Sequence, residues 1–298
     1  MLLLLTAVMY SACEVSDPMA SEQYKKMIYM VGANSKVSTF ELPYGDAQNA
    51  FVSLAASGSK KTDKDVKITL KSNDELIEWY NKKYMLDKPV KYRKMDPEMI
   101  DIPSWEATLK VGELYVRFPF NINSKGLHCD SLYAITFAID HISEYEMSEE
   151  GKELIFTVKL TNPFSGDYNM KAQNIALVEE GGQWVEASGK PVSIQRILTA
   201  CSATEVRFFH ENKKQKFEEF GSSWEPVKDY FDTVRDFCVK FVRIGDSNKF
   251  TVETWDSMII YGGEAELSFG KEGNRIFTFW YDFAEGNERR RMKGTFTE

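Results

Sequence analysis

The sequence predicts an all-β protein, an antiparallel β-sandwich followed by a small antiparallel β-barrel. Three observations carry that prediction. At 298 residues the chain is about twice the length of a usual single domain, so two domains are expected. Short alternating apolar runs recur from residue 27 to the end, bounded by Gly, Asn, Asp and Ser turn signals. Nowhere do strands and helices alternate over the length a parallel α/β fold needs.

In the first half, strands are expected at residues 27–31, 50–55 and 66–70. The last of these alternates with Val66, Ile68 and Leu70 on its apolar side. Ser72 and Glu75 have the spacing of a capping box, which would open a short helix from Asp74 to about Tyr84 with Leu76, Tyr80 and Tyr84 on one face. Further strands are expected at 107–111, 114–118 and 132–139, the last two separated by the turn residues 123–126. Residues 143–152 are charged, contain Gly151 and form the best candidate linker. The sandwich is therefore assigned to residues 24–150 and the barrel to 151–298.

The second β series is expected to start at residues 154–158. Residues 178–185 read as a hairpin around Gly181-Gly182, and strands follow at 205–209, 239–244, 250–254 and 265–269. In residues 276–283, Phe277, Phe279, Tyr281 and Phe283 share one face. Gly286-Asn287 then turns the chain into a last strand ending at Thr297. Residues 226–237 suit helix or strand equally. Closing such strands into a barrel removes exposed edges. The four aromatics either fill its interior or, in a carrier of a small apolar ligand, line it.

Residues 1–10 are an apolar run, followed by the small residues Ser11 and Ala12 and then Cys13. The run falls short of the roughly 20 residues of a transmembrane helix. Tyr10-Ser11-Ala12-Cys13 resembles a lipobox, although Tyr10 stands where an aliphatic residue is more usual and no Lys or Arg precedes the run. The resemblance implies a signal peptide (1–12), a lipidated Cys13 and a polar tether (13–23). Glu14, Ser16 and Asp17 resemble the surface-export signal of Bacteroidetes lipoproteins, which implies an outer-membrane anchor facing the cell exterior.

Over nearly all the mature chain the sequence resembles a two-domain lipoprotein family of Bacteroidetes glycan-utilisation loci. In the first domain the resemblance lies in Asp65 to Leu70, Leu76 to Asn81, Ile102-Pro103 and residues 132–139. That domain is similar to the immunoglobulin-like module, of unknown function, that also precedes some family-18 glycoside hydrolases. Trp105 departs from the small residue expected after Ile-Pro. In the second domain the marks are Asn162 to Tyr168 and Lys293-Gly294-Thr295-Phe296, which resemble a lipocalin-like C-terminal module. The resemblance implies an accessory protein that captures or presents glycans for an outer-membrane transporter.

The residues point to binding rather than catalysis. The net charge of -8 argues against nucleic acid. The family-18 acidic motif, the nucleophile elbow, the P-loop and the dinucleotide fingerprint are all missing. No catalytic residue, metal ligand or cofactor is assigned. His128-Cys129-Asp130 would converge on an ion only at a sharp bend, and His141 and His210 are expected to be strand residues. Cys129, Cys201 and Cys238 allow at most one disulfide. Sugars stack on aromatic rings, and of the six tryptophans, Trp79, Trp255 and Trp280 are expected to pack. Trp184, beside the Gly-Gly turn, and Trp224, in a Gly-Ser-Ser context, are the loop-borne candidates for a glycan. The rival reading is a structural or adhesive lipoprotein that docks to a protein partner and has no sugar site.

Overall fold

The computed structural model describes residues 22–210 and 230–298. Cys13 and Trp224 lie outside the described residues.

The N-terminal half is a two-sheet sandwich. Its strands are β1 (Met27–Met30), β2 (Val37–Pro43), β3 (Gln48–Ala56), β4 (Val66–Lys71), β5 (Tyr92–Lys94), β6 (Ile100–Asp101), β7 (Glu106–Leu109), β8 (Tyr115–Ile122), β9 (Leu132–Ile142), β10 (Glu146–Met147) and β11 (Glu153–Thr161). One sheet runs β10-β1-β3-β8-β6 and the other β2-β11-β9-β4-β7, with β5 alongside β9. The expected alternation holds on β4, where Val66, Ile68 and Leu70 are buried and Lys67 and Lys71 exposed. Trp105 packs on Phe118 and Phe137, with ring centroids 6.1 Å from each, so the large residue after Ile102-Pro103 fills core space.

The helix α1 (Glu75–Tyr84) forms where expected, but without the capping box. Asp74 is its N-cap and makes no side-chain cap bond. The Ser72 hydroxyl instead bonds Asp74 at 2.9 Å and lies 3.0 Å from Thr136 Oγ1, because a partner on β9 outcompetes the local amide. The buried face is Leu76 and Ile77 against Ala134 and Ile155, which leaves Trp79 and Tyr84 exposed.

Two further expectations give way. The candidate linker contains β10, which pairs in parallel with β1. The strand expected to open the second β series, β11, lies between β9 and β2 of the sandwich. Its residues Leu154 to Val158 are all buried, as befits a central strand covered on both faces.

The C-terminal half is a closed barrel of β12 (Gly166–Glu180), β13 (Gln183–Ala200), β14 (Glu205–Phe209), β15 (Cys238–Arg243), β16 (Lys249–Thr254), β17 (Ile260–Phe269), β18 (Arg275–Glu285) and β19 (Glu288–Thr297). Pairing of β12 with β19 completes the ring. A helix, α2 (Tyr230–Phe237), runs straight into β15, which decides the ambiguous stretch for its described part. Phe277, Phe279, Tyr281 and Phe283 do face inward. With Tyr168, Phe208, Phe241, Phe250 and Phe296 they form an interior in which no ring is more than 2% exposed. Phe296 sits 4.8 Å from both Phe208 and Phe279. Each such side chain stabilises the barrel by roughly 1.5–3 kcal/mol, and the rings occupy the space a carrier would give its ligand. Gly294 lets β19 approach β12 closely, since a Cβ there would lie 2.2 Å from the Lys171 carbonyl oxygen.

Four residues, 162–165, join the halves. Asn162 Nδ2 donates to the carbonyls of Ser202 and Glu205, both at 2.8 Å, while Oδ1 accepts the amides of Phe164 and Ser165. The Tyr168 hydroxyl donates to the Phe164 carbonyl at 2.9 Å. Beside this junction Arg207 on β14 makes a bidentate pair with Asp130 of the sandwich at 2.6 and 2.7 Å.

Candidate functional site

Strand alternation builds a polar and aromatic face on the outer wall of the barrel. Because odd-numbered residues of β18 from 277 to 283 point inward, Trp280 and Asp282 point outward. By the same alternation β19 sends Met292 and Phe296 inward and Arg289, Arg291 and Lys293 outward. The strand order β13-β12-β19-β18-β17 then places Trp184, on β13, and Tyr261, on β17, at either side of Arg289.

The arginine joins the two rings. Its guanidinium carbon lies 5.1 Å from the Trp184 ring centroid and 4.5 Å from that of Tyr261. Trp184 remains 41% exposed and Tyr261 51%, so each ring keeps apolar surface open to solvent while cation–π contact fixes it. Asp282, only 3% exposed, accepts Arg289 Nη2 at 2.9 Å and Arg291 Nε at 2.7 Å. That hydrogen bond is the main reason the Arg291 pKa is raised above the usual guanidinium value. Arg291 also lies over Trp280, 4.7 Å from its centroid, and donates to Glu186 at 3.0 Å. The buried Nε of Arg289 has no hydrogen-bond partner among the described residues.

A groove of about 570 Å³ continues from this platform. Glu186 and Lys293 border both, and Lys171, Gln173 and Ser193 line the groove further on. The groove's lining also includes Ala172, Ile175, Pro191 and Val192. Rigid rings thus lie beside a largely apolar trough edged by charged and amide side chains, which suits a ligand that has apolar faces and hydroxyls. Both oxygens of Asp282 are already engaged, so the platform's buried carboxylate serves to position the arginines.

Of the residues singled out in the sequence, Trp184 is on this face, although it sits on a strand two residues past the turn rather than in a loop. Trp224 and Cys13 lie outside the described residues. Tyr261, Arg289 and Arg291 were missed, because only cross-strand pairing brings them to Trp184. The Arg289-Arg290-Arg291 run was their one visible sign. Trp280 and Trp79 are not packed in a core as expected. The first faces outward under Arg291, and the second is exposed on α1, 5.8 Å from the Tyr84 ring. Trp255 does pack, beneath Arg207 at 4.5 Å and against Phe209 and Cys238.

His128, Cys129 and Asp130 bring their ligand atoms within 4.8 Å of one another, contrary to the expectation from an extended chain. A turn supplies the bend, with the Ser131 amide donating to the His128 carbonyl. Asp130 there is committed to Arg207, which makes the trio a poor cation site. His141 lies on β9 as expected, and His210 follows β14, with its Nδ1 2.7 Å from the Tyr281 hydroxyl inside the barrel mouth.

A second concavity, about 890 Å³, opens between the two halves and is lined by Glu41, Tyr92, Cys129, Lys159, Arg275 and Glu298 among others. Four of its charges are paired across short distances, Lys159 with Glu41 at 3.0 Å and Arg275 with Glu298 at 2.5 Å, and Asp167 lines it as well. Tyr92 is its one aromatic ring among the described residues.

Residues 24–146 match the family model of an N-terminal domain, and residues 152–297 that of a C-terminal domain. Together the two matches span most of the chain. No curated protein matches the chain. Among solved structures, the chain is similar to a Bacteroides ovatus protein of unknown function, at 12% identity and a TM-score of 0.64 over 92% of this chain and 95% of that one. A multidomain protein including DUF1735, also from Bacteroides ovatus, aligns at 11% identity and a TM-score of 0.58, covering 91% and 94%. An auxiliary nutrient binding protein of Bacteroides thetaiotaomicron aligns at 14% and 0.57, covering 89% and 91%. At these identities the likeness is one of fold.

Proposed function

We propose that the chain is a non-catalytic, lipid-anchored accessory protein of a bacterial cell surface that binds or presents glycans for uptake by an outer-membrane transporter. The observation that carries this reading is the platform of Trp184 and Tyr261, fixed by Arg289 and continued by a groove edged by Lys171, Gln173, Glu186 and Lys293. Pyranose rings stack on such faces, while guanidinium, ammonium and carboxylate groups take the hydroxyls. The fold shared with an auxiliary nutrient binding protein supports it, and Cys13 supplies the anchor.

The test is affinity electrophoresis of the unlipidated full chain (Cys13→Ser) in gels cast with neutral and acidic polysaccharides. Retardation by one glycan is expected, weakened about tenfold by Trp184→Ala, the weight of ~1.4 kcal/mol. Trp224→Ala in the same gels measures what the other candidate adds. No retardation by any glycan would move the weight to the docking reading. The exposed Trp79 within α1, Tyr84 at its end and Leu86 just beyond it favour that alternative, because clustered apolar side chains in solvent mark contact surfaces.

A further inference from the structure

The junction between the halves holds two cysteines that no part of the proposed binding role uses. Cys129 lies in the turn before β9 and Cys201 immediately after β13, 72 residues apart in sequence, and their sulfurs are 3.8 Å apart. Both are partly accessible, whereas Cys238 is fully buried in the barrel. Cys129 lines the cleft between the halves, so a small oxidant reaches it from solvent. The Arg207–Asp130 pair holds the two segments together beside it.

We infer that Cys129 and Cys201 are a modification site, a disulfide that covalently staples the sandwich to the barrel. A disulfide bond is about 2.05 Å long, so the sulfurs must close by about 1.8 Å, a movement within reach of side-chain rotation at two bends of the chain. The reaction is thiol–disulfide exchange with a small or protein disulfide as oxidant. The Cys129 thiolate attacks one sulfur of the oxidant, forming a mixed disulfide and releasing the first thiol. Cys201 then loses its proton and attacks the Cys129 sulfur, releasing the second thiol. Two protein thiols are oxidised and one disulfide of the oxidant is reduced to two thiols.

The electrostatics assign these roles. The hydrogen bond between the two sulfurs, with the Arg207 guanidinium nearby, lowers the Cys129 pKa against the opposing effect of burial. The Cys201 pKa is raised, first by that same hydrogen bond and then by burial. One sulfur is thus the attacking thiolate and the other holds the proton until the mixed disulfide forms. Cys238, pushed up to about 12 by burial, stays out of the exchange.

Formation in the cell needs an oxidising compartment, and to that extent rests on the surface location proposed above. The chemistry on purified protein does not, so the two readings fail separately. The experiment takes the full chain with Cys13→Ser, incubates it in a glutathione disulfide buffer, and counts thiols after denaturation. Titration is expected to fall from three thiols to one per chain. Mass spectrometry of the proteolysed protein should show the Cys129 peptide joined to the Cys201 peptide. Cys238→Ser should keep that link, and the unfolding midpoint should rise by roughly 5–10 °C on oxidation. Three remaining thiols, or glutathione left on Cys129 with no Cys129–Cys201 link, would overturn the inference.

Discussion

Replacing Asp130 by Asn tests how the two halves are held together. The side chains of Arg207 and Asp130 are 4% and 7% exposed and share two hydrogen bonds at 2.6 and 2.7 Å. Burial disfavours the Arg207 cation most strongly, and only the hydrogen bond to Asp130 together with the negative charge gathered around it more than restores it. Asn removes the charge that offsets this burial, and breaking one side of a buried pair costs about 3–5 kcal/mol. Asp130 makes a further interaction besides Arg207, and Asn can keep a hydrogen bond, so the lower end, about 3 kcal/mol, is expected. In a protein of this size that lowers the thermal midpoint by roughly 6–12 °C. Calorimetry should also split one transition into two as the barrel uncouples from the sandwich. The double variant Asp130→Leu/Arg207→Met should recover most of the loss, since an apolar pair leaves no charge buried. A fall below about 2 °C in the single variant would refute the reasoning, and so would a double variant no better than the single.

Gly294→Ala should destabilise the barrel by about 1–3 kcal/mol, because the new methyl meets the backbone of Lys171 and Ala172; urea unfolding measures it. An apolar dye should not bind the native barrel, whose interior is filled by aromatic rings, while Phe208→Ala should cost about 3–5 kcal/mol and open a cavity. Alkylation by iodoacetamide should modify Cys129 first. Its lowered pKa gives it more thiolate than an ordinary cysteine at any pH below the usual thiol range, and raising the pH toward 9 should narrow that lead. Cys238, at about 12, should stay unmodified from pH 6 to 9 in folded protein, as mass spectrometry can follow.

What the sequence made legible was whatever depends on near neighbours. The alternation of Val66, Ile68 and Leu70, the Gly181-Gly182 hairpin and the inward face of Phe277 to Phe283 are period-2 signals that no distant residue contradicts. Trp184 was legible for a similar reason, since a Gly-Gly turn beside an aromatic places it at a hairpin end. The capping box failed because Thr136, far along the chain, claims Ser72. Residues 143–152 looked like a linker because β10 contributes only two residues and its partner is β1. The rest of the platform was hidden, since Tyr261 and Arg289 meet Trp184 only through barrel closure. Cys129 and Cys201 were equally opaque, because their spacing matches no motif and only the packing of the halves brings the sulfurs together.

The place of β11 governs the order in which this protein can fold. It is the last sandwich strand to leave the ribosome, yet β2 and β9, both made earlier, flank it. Until residue 161 emerges, those two strands expose unpaired edges, the surfaces on which chains pair wrongly with one another. The chain then reaches Asn162, whose carboxamide waits for the carbonyls of Ser202 and Glu205. Completion of the first half is thus followed within a residue by a tie into the second. A polypeptide cut at residue 150 would lose the strand that its sandwich is built around, so the aggregation hazard of this protein sits at the seam between its halves.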